Sequence, residues 1–336
     1  MINDAHVHFF SPGFFGALGT QKAALAGHPE SLRSDEVTSA LGWDDPVSID
    51  SLADRWADEL DRHGVSRAAL IASVPGDSAS VAAAIARHPT RFVGFFMLDP
   101  TRDQALADAT RALDAGLRTI CLFPAMHRYP LDDPRVEGVF ELAATYEPRS
   151  GEPTSAASPT SAASPTSAAS PTSAASPTRA KGPSPCVFVH CGVLSVGVRK
   201  KLGLPSPFEM RFGNPLDLQK VALRFGSVPI LLPHFGAGLL REALMLADVC
   251  PNVHFDTSSS NGWVKYTPGL TLEGVFESAL KIAGPERILF GTDSSFFPRG
   301  WNREVYERQR SALDAIGAGG DIQSKIFSGN FARLFS

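Results

Sequence analysis

Two kinds of segment alternate regularly along this chain, and few folds can accommodate such a pattern. Short runs rich in β-branched and aromatic residues alternate with longer stretches in which apolar residues recur at helical spacing. Eight strands are predicted, at 2–8, 68–72, 92–98, 119–123, 187–190, 230–233, 253–256 and 288–290. Helices are predicted at 51–63, 78–87, 101–115, 134–146, 214–225, 239–249, 272–283, 304–316 and 322–334. Eight strand-helix units in series favour a (β/α)8 or TIM barrel over an open doubly wound sheet, which is the alternative.

The composition suits a large folded core and excludes several functional classes. Of the 336 residues 43% are hydrophobic, so wholesale disorder is not expected. The formal net charge of -4 offers no electrostatic footprint for nucleic acid or for an anionic membrane surface. The N-terminus lacks the basic and apolar regions of a signal peptide, and no apolar run reaches the roughly 18 residues of a membrane span. We therefore expect a soluble cytoplasmic protein that acts on a small molecule.

A low-complexity segment at 150–185 interrupts the alternation. Within it, at 153–176, the hexad Pro-Thr-Ser-Ala-Ala-Ser occurs four times. A proline at every sixth residue excludes a continuous helix, so we predict a disordered linker. The segment falls between the fourth predicted helix and the fifth strand, and in a barrel such connections lie on the face opposite the catalytic loops. The prediction is a single barrel domain over 1–336 with an insertion remote from the chemistry.

Candidate metal ligands stand where predicted strands begin or end. Alternation along the first strand places Asp4, His6 and His8 on one side, so the two imidazoles could converge on one ion. His190 and His234 close the fifth and sixth strands, and Asp293 follows the eighth. The C-terminal ends of the strands form the catalytic face of a TIM barrel. Imidazole and carboxylate ligands suit Zn²⁺, with a position left open for water in a catalytic site.

Four motifs taken together resemble a known family. They are Asp4-Ala5-His6-Val7-His8, Val189-His190-Cys191-Gly192, Pro233-His234-Phe235-Gly236 and Gly291-Thr292-Asp293-Ser294. In this order they resemble the amidohydrolase superfamily, and within it the amidohydrolase-related branch that includes aminocarboxymuconate-semialdehyde decarboxylase and several lactonases. The resemblance implies a TIM barrel and a divalent metal, most simply Zn²⁺. It also implies the metal ligands His6, His8, His190 and Asp293, a catalytic role for His234, and often a homodimer.

The fourth strand departs from the binuclear members of that superfamily. Those members carry a bridging carboxylated lysine there, whereas this chain has Cys121 in the run Ile120-Cys121-Leu122-Phe123-Pro124. Cysteine cannot form a carbamate, which favours a single metal ion. We interpret Cys121 as a packed barrel residue, with a direct thiolate-metal bond as the alternative. The four cysteines contain no Cys-x-x-Cys pair and are expected to be free and buried.

These residues suit two reactions. In a metal-dependent hydrolase a metal-activated water attacks an ester, lactone or amide carbonyl, with Asp293 and His234 as the catalytic residues. In a non-oxidative decarboxylase the metal anchors the substrate and His234 donates a proton to the developing carbanion. We favour the hydrolase, acting on a small cyclic or aromatic carboxylate. A catalytically silent barrel that serves as a binding protein is the third hypothesis, and the intact ligand positions argue against it.

Residues in the loops after the strands suggest how a substrate is bound. Arg128 and Arg299 could bind a carboxylate with bidentate geometry, although solvated surface charge is the ordinary alternative. His127 and Trp263 lie in the same group of loops. The phenylalanines just past the paired histidines could line an aromatic pocket or simply belong to the core; they are Phe9, Phe10, Phe14 and Phe15. His254, on the seventh strand, is interpreted as a structural histidine.

Overall fold

The computed structural model describes residues 1–28, 30–148 and 184–335. Within them eight parallel strands form one sheet in which the strand order follows the chain order. The strands are β1 (Ile2–Phe9), β2 (Val65–Ala72), β3 (Phe92–Leu98), β4 (Thr119–Leu122), β5 (Cys186–Val189), β6 (Ile230–Pro233), β7 (Val253–Asp256) and β8 (Ile288–Leu289). All eight predicted strands are present.

The sheet closes on itself between its first and last strands. The backbone N–H of Ala5 donates to the carbonyl of Phe290 at 2.8 Å, and the N–H of His8 donates to Ser294 at 2.7 Å. Val7 forms a parallel bridge with Ser294. These bonds join β1 to the segment that follows β8, as in a nearly closed barrel. The predicted TIM barrel is therefore confirmed, and the open doubly wound sheet is excluded.

Helices follow the strands, and those that pack against the outer face of the sheet cover the outside of the barrel. They are α1 (Pro12–Ala26), α2 (Ser34–Leu41), α3 (Ile49–Arg62), α4 (Ser78–Arg87), α5 (Ala105–Asp114), α6 (Pro124–His127), α7 (Pro134–Thr145), α8 (Gly197–Lys201), α9 (Gln219–Arg224), α10 (Leu240–Val249), α11 (Leu272–Ala283), α12 (Arg303–Ala315), α13 (Gly320–Ser324) and α14 (Asn330–Phe335). The predicted helix at 214–225 is shorter than expected. Its first part is a 3₁₀ turn at Pro215–Leu218, in which the Asn214 side chain accepts the N–H of Leu216.

Two helices after β1 were not predicted. The first, α1, begins at a Ser11 cap whose side chain accepts the N–H of Phe14, and it ends at Gly27 in the left-handed conformation. Apolar residues occur on several sides of α1, so it shows little of the one-sided pattern that sequence reading depends on. Together α1 and α2 form a separate apolar cluster with residues around α8. This cluster lies beside the loops that carry the candidate site.

A β-bulge interrupts the expected alternation of side chains along β1. Asp4 pairs with Ala68 and Val7 pairs with Leu70, so three steps along β1 oppose two along β2. The extra residue reverses the side on which the preceding residues point. The side chain of Asp4 therefore points away from the imidazoles of His6 and His8; its carboxylate accepts hydrogen bonds from the side chains of Thr292 and Trp301 and from the backbone N–H of His6. The prediction that Asp4 shares a side with the paired histidines is wrong.

The interior of the barrel is packed with side chains and is not a channel. Its apolar cluster includes Phe95, Cys121, Phe188 and Leu231 from the strands. Phe331 and Phe335 of α14 belong to the same cluster and cover one end of it. A larger cluster lies between the outer face of the sheet and the helices. The end of the barrel that remains open is the one at which the C-terminal ends of the strands meet.

The hexad repeat at 153–176, with the rest of its segment between 149 and 183, lies outside the described residues. The strands on either side of it, β4 and β5, pair in parallel, with Thr119 beside Cys186. The extent of a single domain over 1–336 stays a prediction. None of the described helices is both long enough and apolar enough to cross a bilayer.

Candidate active site

Three candidate ligands meet at the C-terminal end of the barrel. The Nε2 atoms of His6 and His8 are 3.4 Å apart. An Asp293 carboxylate oxygen lies 3.2 Å from Nε2 of His8 and 3.7 Å from Nε2 of His6. Two imidazole nitrogens and a carboxylate so close together form the donor set that a divalent cation prefers. The residues present thus fit a metal ion.

Both imidazoles are held by partners on their other ring nitrogen. Nδ1 of His6 is 2.6 Å from an Asp256 carboxylate oxygen, and Nδ1 of His8 is 2.7 Å from the Ser73 hydroxyl. Such contacts orient a ring and leave its Nε2 free to bind a metal. Burial disfavours a charge on His6, but the carboxylates of Asp256 and Asp293 outweigh it and raise the pKa of the ring. Burial lowers the pKa of His8 despite its hydrogen bond with Asp293.

The carboxylate of Asp293 is half-buried among these rings. Burial alone would raise the pKa of Asp293, but the hydrogen bond with His8 and the charges of His6 and His8 hold that pKa well below its usual range. The group is therefore an anion over the ordinary range of pH. An anionic oxygen is available to bind a cation or to accept a proton from water.

His234 lies beside this group and is neutral. Its ring centroid is 5.2 Å from that of His6. Its Nδ1 is 3.0 Å from the Ser258 carbonyl oxygen, which can only accept, so Nδ1 carries the proton and Nε2 is an acceptor. Burial lowers the pKa of His234. A neutral imidazole with a free Nε2 can take up a proton.

His190 lies on the other side of His234. Their ring centroids are 5.2 Å apart, and the His190 ring stacks on Phe123. Its Nδ1 is buried without a hydrogen-bond partner. Burial is the main cause that holds the pKa of His190 well below its usual range, and the neighbouring ring of His234 disfavours a second protonated imidazole there. His190 lies outside the compact group of His6, His8 and Asp293, so its role as a ligand stays a prediction.

The backbone is strained at two of the candidate catalytic residues. His234 has φ 55° and Asp293 has φ 61°, both in the left-handed region that non-glycine residues seldom adopt. Strain of this kind costs about 1–3 kcal/mol at each residue and is concentrated at functional sites. The surrounding loops hold the strained turns in place. A Cβ on Gly192 would lie 2.2 Å from the carbonyl oxygen of Gly236, so only glycine permits the loop after β5 to pack so closely against the loop after β6.

A pocket of about 560 Å³ opens over these side chains. It is lined by His6, His8, His190, His234 and Asp293, which places the five candidate ligands and catalytic residues around one cavity. Of the candidate substrate-binding residues, Trp263 and Arg299 line the same pocket, whereas His127 and Arg128 are absent from its lining. His127 lies in the short helix α6 with its Nδ1 buried, and Arg128 ends that helix with φ 57°. Phe10 and Phe14 line the pocket, while Phe9 and Phe15 are buried in the apolar clusters.

Aromatic rings and cations form the mouth of the pocket. The rings of Trp43 and Phe296 are stacked with their centroids 3.9 Å apart. The Arg299 guanidinium lies 4.5 Å from the Phe296 centroid, and the Lys201 ammonium lies 5.4 Å from the Trp43 ring. Lys265 also lines the pocket. This end of the pocket combines flat apolar surface with positive charge, which suits a planar anion.

Cys121 is fully buried in the barrel interior, where burial holds the pKa of its thiol well above the usual range. It is absent from the compact group of ligand atoms. A neutral thiol packed among Met97 and Phe188 agrees with the interpretation of Cys121 as a core residue. The four cysteines are free and buried, as expected.

Several residues at the site were not identified from the sequence. Asp256 and Ser73 contact the paired histidines, and both stand at the C-terminal end of a predicted strand, which is the signal that could have found them. Ser258 carries the same signal, since it lies two residues past the end of β7, whereas Trp43 lies in an irregular segment and carries none.

A family model described as amidohydrolase matches residues 4–336. No curated protein sequence matches the chain. Among solved structures, an uncharacterised TIM-barrel protein from Bordetella bronchiseptica is 19% identical, with a TM-score of 0.61 over 99% of this chain and 97% of that one. A protein named as a 2-pyrone-4,6-dicarboxylic acid hydrolase, from Acinetobacter baumannii, is 12% identical, with a TM-score of 0.53 over 99% and 98%. A 5-carboxyvanillate decarboxylase from Novosphingobium aromaticivorans, with bound manganese, is 13% identical, with a TM-score of 0.56 over 99% and 95%.

Proposed function

The chain belongs to the amidohydrolase family, and we propose that it is a metal-dependent hydrolase that acts on a small cyclic or aromatic carboxylate at an ester, lactone or amide bond. The observation that carries the proposal is the convergence of His6, His8 and Asp293, with a neutral His234 beside them, at the bottom of one pocket. Neutral His234 is in the form that accepts a proton, which is what hydrolysis requires of it.

We assign the metal to His6, His8 and Asp293, with His190 as the further ligand. The partners on Nδ1 leave Nε2 of His6 and His8 3.4 Å apart, with an Asp293 oxygen 3.2 Å from His8, so two ring nitrogens and an anionic oxygen are directed into one small space. These three groups would hold a divalent cation between them. Nitrogen and oxygen donors in this number suit Zn²⁺. The chemistry that such an ion supplies is Lewis acidity toward an oxygen of water or of a substrate carbonyl.

Protein side chains transfer the proton and exclude bulk water. His234 takes a proton from the attacking water through its Nε2 and returns it to the leaving group. Asp293 stays anionic through this exchange because the neighbouring imidazoles hold its pKa low. The surrounding apolar wall, which includes Phe123 and Trp263, excludes bulk water and strengthens these electrostatic interactions.

The mouth of the pocket is the reason for proposing a carboxylate substrate. Arg299 is anchored by hydrogen bonds to the Asp293 carbonyl at 3.2 Å and to the Ser295 hydroxyl at 2.9 Å. Its remaining N–H groups can bind a substrate carboxylate, and the ring of Phe296 supports the guanidinium. Phe10 and Trp43 line the same pocket and supply apolar aromatic surface for a flat substrate ring to contact.

A metal-dependent decarboxylase is the second candidate, and the aromatic wall of the pocket together with the likeness to the 5-carboxyvanillate decarboxylase supports it. That reaction needs a proton on His234 to transfer to carbon as CO₂ leaves. Burial of His234 disfavours this protonated form, which is why hydrolysis is preferred.

Metal analysis of the purified protein tests the common part of both candidates. About one equivalent of zinc is expected in the native protein. The double variant His6→Ala, His8→Ala should lose it, while the matched control His88→Ala should not, because His88 pairs with Asp54 on the outside of the barrel. Absence of metal from native protein that has been given zinc, or equal metal content in all three proteins, contradicts the proposal.

A substrate screen divides the two reactions. Lactones, esters and amides of aromatic and cyclic acids are offered alongside aromatic carboxylates, and both acid production and CO₂ release are recorded. Turnover of a lactone, ester or amide without CO₂ supports the hydrolase. Release of CO₂ without any hydrolytic turnover refutes it in favour of the decarboxylase.

A further inference from the structure

A short segment at the end of β7 contacts two histidines of the site at once. One carboxylate oxygen of Asp256, Oδ2, lies 2.6 Å from Nδ1 of His6, while the other, Oδ1, accepts the backbone N–H of Ser258 at 2.8 Å. The Ser258 hydroxyl lies 2.9 Å from Nδ1 of His6 and 2.9 Å from Nδ1 of His234. Both Asp256 and Ser258 are buried.

Hydrogen bonds between Thr257 and Gln309 also fix the position of this segment. Thr257, between the two, donates its hydroxyl to the side-chain oxygen of Gln309 at 2.6 Å, and Gln309 donates back to the Thr257 carbonyl at 2.8 Å. The backbone N–H of Thr257 donates to Leu289 on β8. Asp256 and Ser258 therefore have little freedom to move with the rings they contact.

These contacts determine which nitrogen of each ring carries the proton. A carboxylate and a carbonyl oxygen accept hydrogen bonds and do not donate them, so Nδ1 must be the N–H of both His6 and His234. Each neutral ring then has its lone pair on Nε2. For His6 this is the atom that faces His8 and Asp293, and for His234 it is the atom left to exchange a proton.

We propose that Asp256 is a positioning residue that fixes the Nδ1–H tautomer of His6, so that Nε2 is the metal ligand, and that Ser258 links this contact to His234. The assignment of His6 as a ligand and His234 as a proton acceptor rests on the proposed function. The tautomers themselves do not, because they follow from the contacts alone.

The substitution Asp256→Asn separates this role from simple packing. Asparagine has nearly the same shape, but one of its two terminal atoms is an NH₂ group that donates. If the NH₂ group takes the place of Oδ2, it faces Nδ1 of His6 and favours the tautomer in which Nε2 carries the proton and cannot bind a metal. If it takes the place of Oδ1, it meets the N–H of Ser258. Either arrangement disturbs the ligand, whereas Asp256→Ala leaves the Ser258 hydroxyl as an acceptor for His6.

The experiment measures zinc affinity by chelator competition and ring tautomers by ¹⁵N NMR of the histidine nitrogens, at a pH above the raised pKa of His6 so that its ring is neutral. For Asp256→Asn we expect zinc affinity to fall by roughly 10–100-fold and the His6 ring to shift toward the Nε2–H tautomer. Asp256→Ala should unfold more readily but lose no more zinc affinity than Asp256→Asn. Ser258→Ala should change zinc affinity by less than about threefold, because Asp256 still accepts from His6.

Matched controls remove buried groups of the same kind elsewhere. Glu59→Gln replaces a buried carboxylate and Ser80→Ala a buried hydroxyl, both outside the pocket lining, and neither should change zinc affinity. The proposal is overturned if Asp256→Asn keeps zinc affinity within threefold, or if Asp256→Ala loses far more than Asp256→Asn, as a packing role requires. An Nε2–H tautomer of His6 in the native apoprotein overturns it without any variant. Native protein that shows the Nδ1–H tautomers but binds no zinc contradicts the proposed function and leaves the positioning contact standing.

Discussion

Gly291, which follows β8, offers a sharp test of how closely the site is packed. A Cβ added to it would lie 2.6 Å from Oδ1 of Asp256, 2.9 Å from Cβ of His6 and 3.0 Å from Cβ of Ser258. Ordinary contacts between carbon atoms are about 3.5–4.0 Å. The three neighbours are the candidate ligand His6 and the two residues that contact its ring, so Gly291→Ala presses one methyl group into the candidate metal site.

The expected destabilisation follows from how closely the added Cβ would approach its three neighbours. Relief requires shifts approaching 1 Å in a buried carboxylate that is hydrogen-bonded on both oxygens, and overpacking of this kind costs about 1–3 kcal/mol. The same shift lengthens the 2.6 Å contact between Asp256 and His6. We therefore expect Gly291→Ala to lower the free energy of unfolding by about 1–3 kcal/mol and to weaken zinc binding by roughly tenfold.

Urea unfolding followed by tryptophan fluorescence measures the first quantity and chelator competition measures the second. Gly16→Ala is the matched control, because its Cβ would meet no atom within 4 Å and it lies inside helix α1. Alanine there should raise the free energy of unfolding by about 0.5–1 kcal/mol and leave zinc binding unchanged. If Gly291→Ala behaves like Gly16→Ala in both assays, the packing argument for the site is refuted.

Three further predictions concern single residues. Burial lowers the pKa of His254 to about 4, below its ordinary 6.5, so between these pH values the unfolded chain binds a proton that the folded chain does not. The free energy of unfolding should therefore fall by up to about 3 kcal/mol as pH drops from 6.5 to 4. In urea unfolding at a series of pH values His254→Asn should lose that dependence, and an unchanged dependence would show that His254 is not its source. His234→Asn should keep the local backbone and hence the zinc site, because asparagine tolerates the left-handed conformation. Its kcat should fall by roughly 10²–10⁴-fold, and full turnover would exclude His234 as the base. Arg299→Met should raise KM for a carboxylate substrate by roughly 10–100-fold, whereas the exposed Arg241→Met should not, and equal KM values would remove Arg299 from substrate binding.

Much of the architecture follows from patterns that are local in the chain. The strand positions and the barrel were predicted because β-branched runs and helical spacing act over a few residues, and because eight such units in series permit few topologies. The helix α1 was missed because it buries more than one side and its apolar residues therefore lack a clear helical face. His190, His234 and Asp293 were placed around one cavity with the paired histidines because parallel strands bring their C-terminal ends together.

The details that govern chemistry were decided by the tertiary structure. His127 and Arg128 follow β4 but do not line the pocket, whereas Trp43, from an irregular segment far from any strand end, does. Loop courses of this kind depend on packing that no local pattern encodes.

Taken alone, the sequence determined which residues can supply the chemistry and at which end of the barrel they stand, because periodicity and chain order are enough for both. The tertiary structure decided how those residues are held. The bulge in β1 turns Asp4 away from the imidazole of His6 and toward Trp301, and the register of the sheet brings Asp256 to His6 across 250 positions of the chain. The placement of Asp4 depends on one extra residue in a strand pair, and the placement of Asp256 depends on the closure of the sheet. Both causes are properties of the assembled barrel.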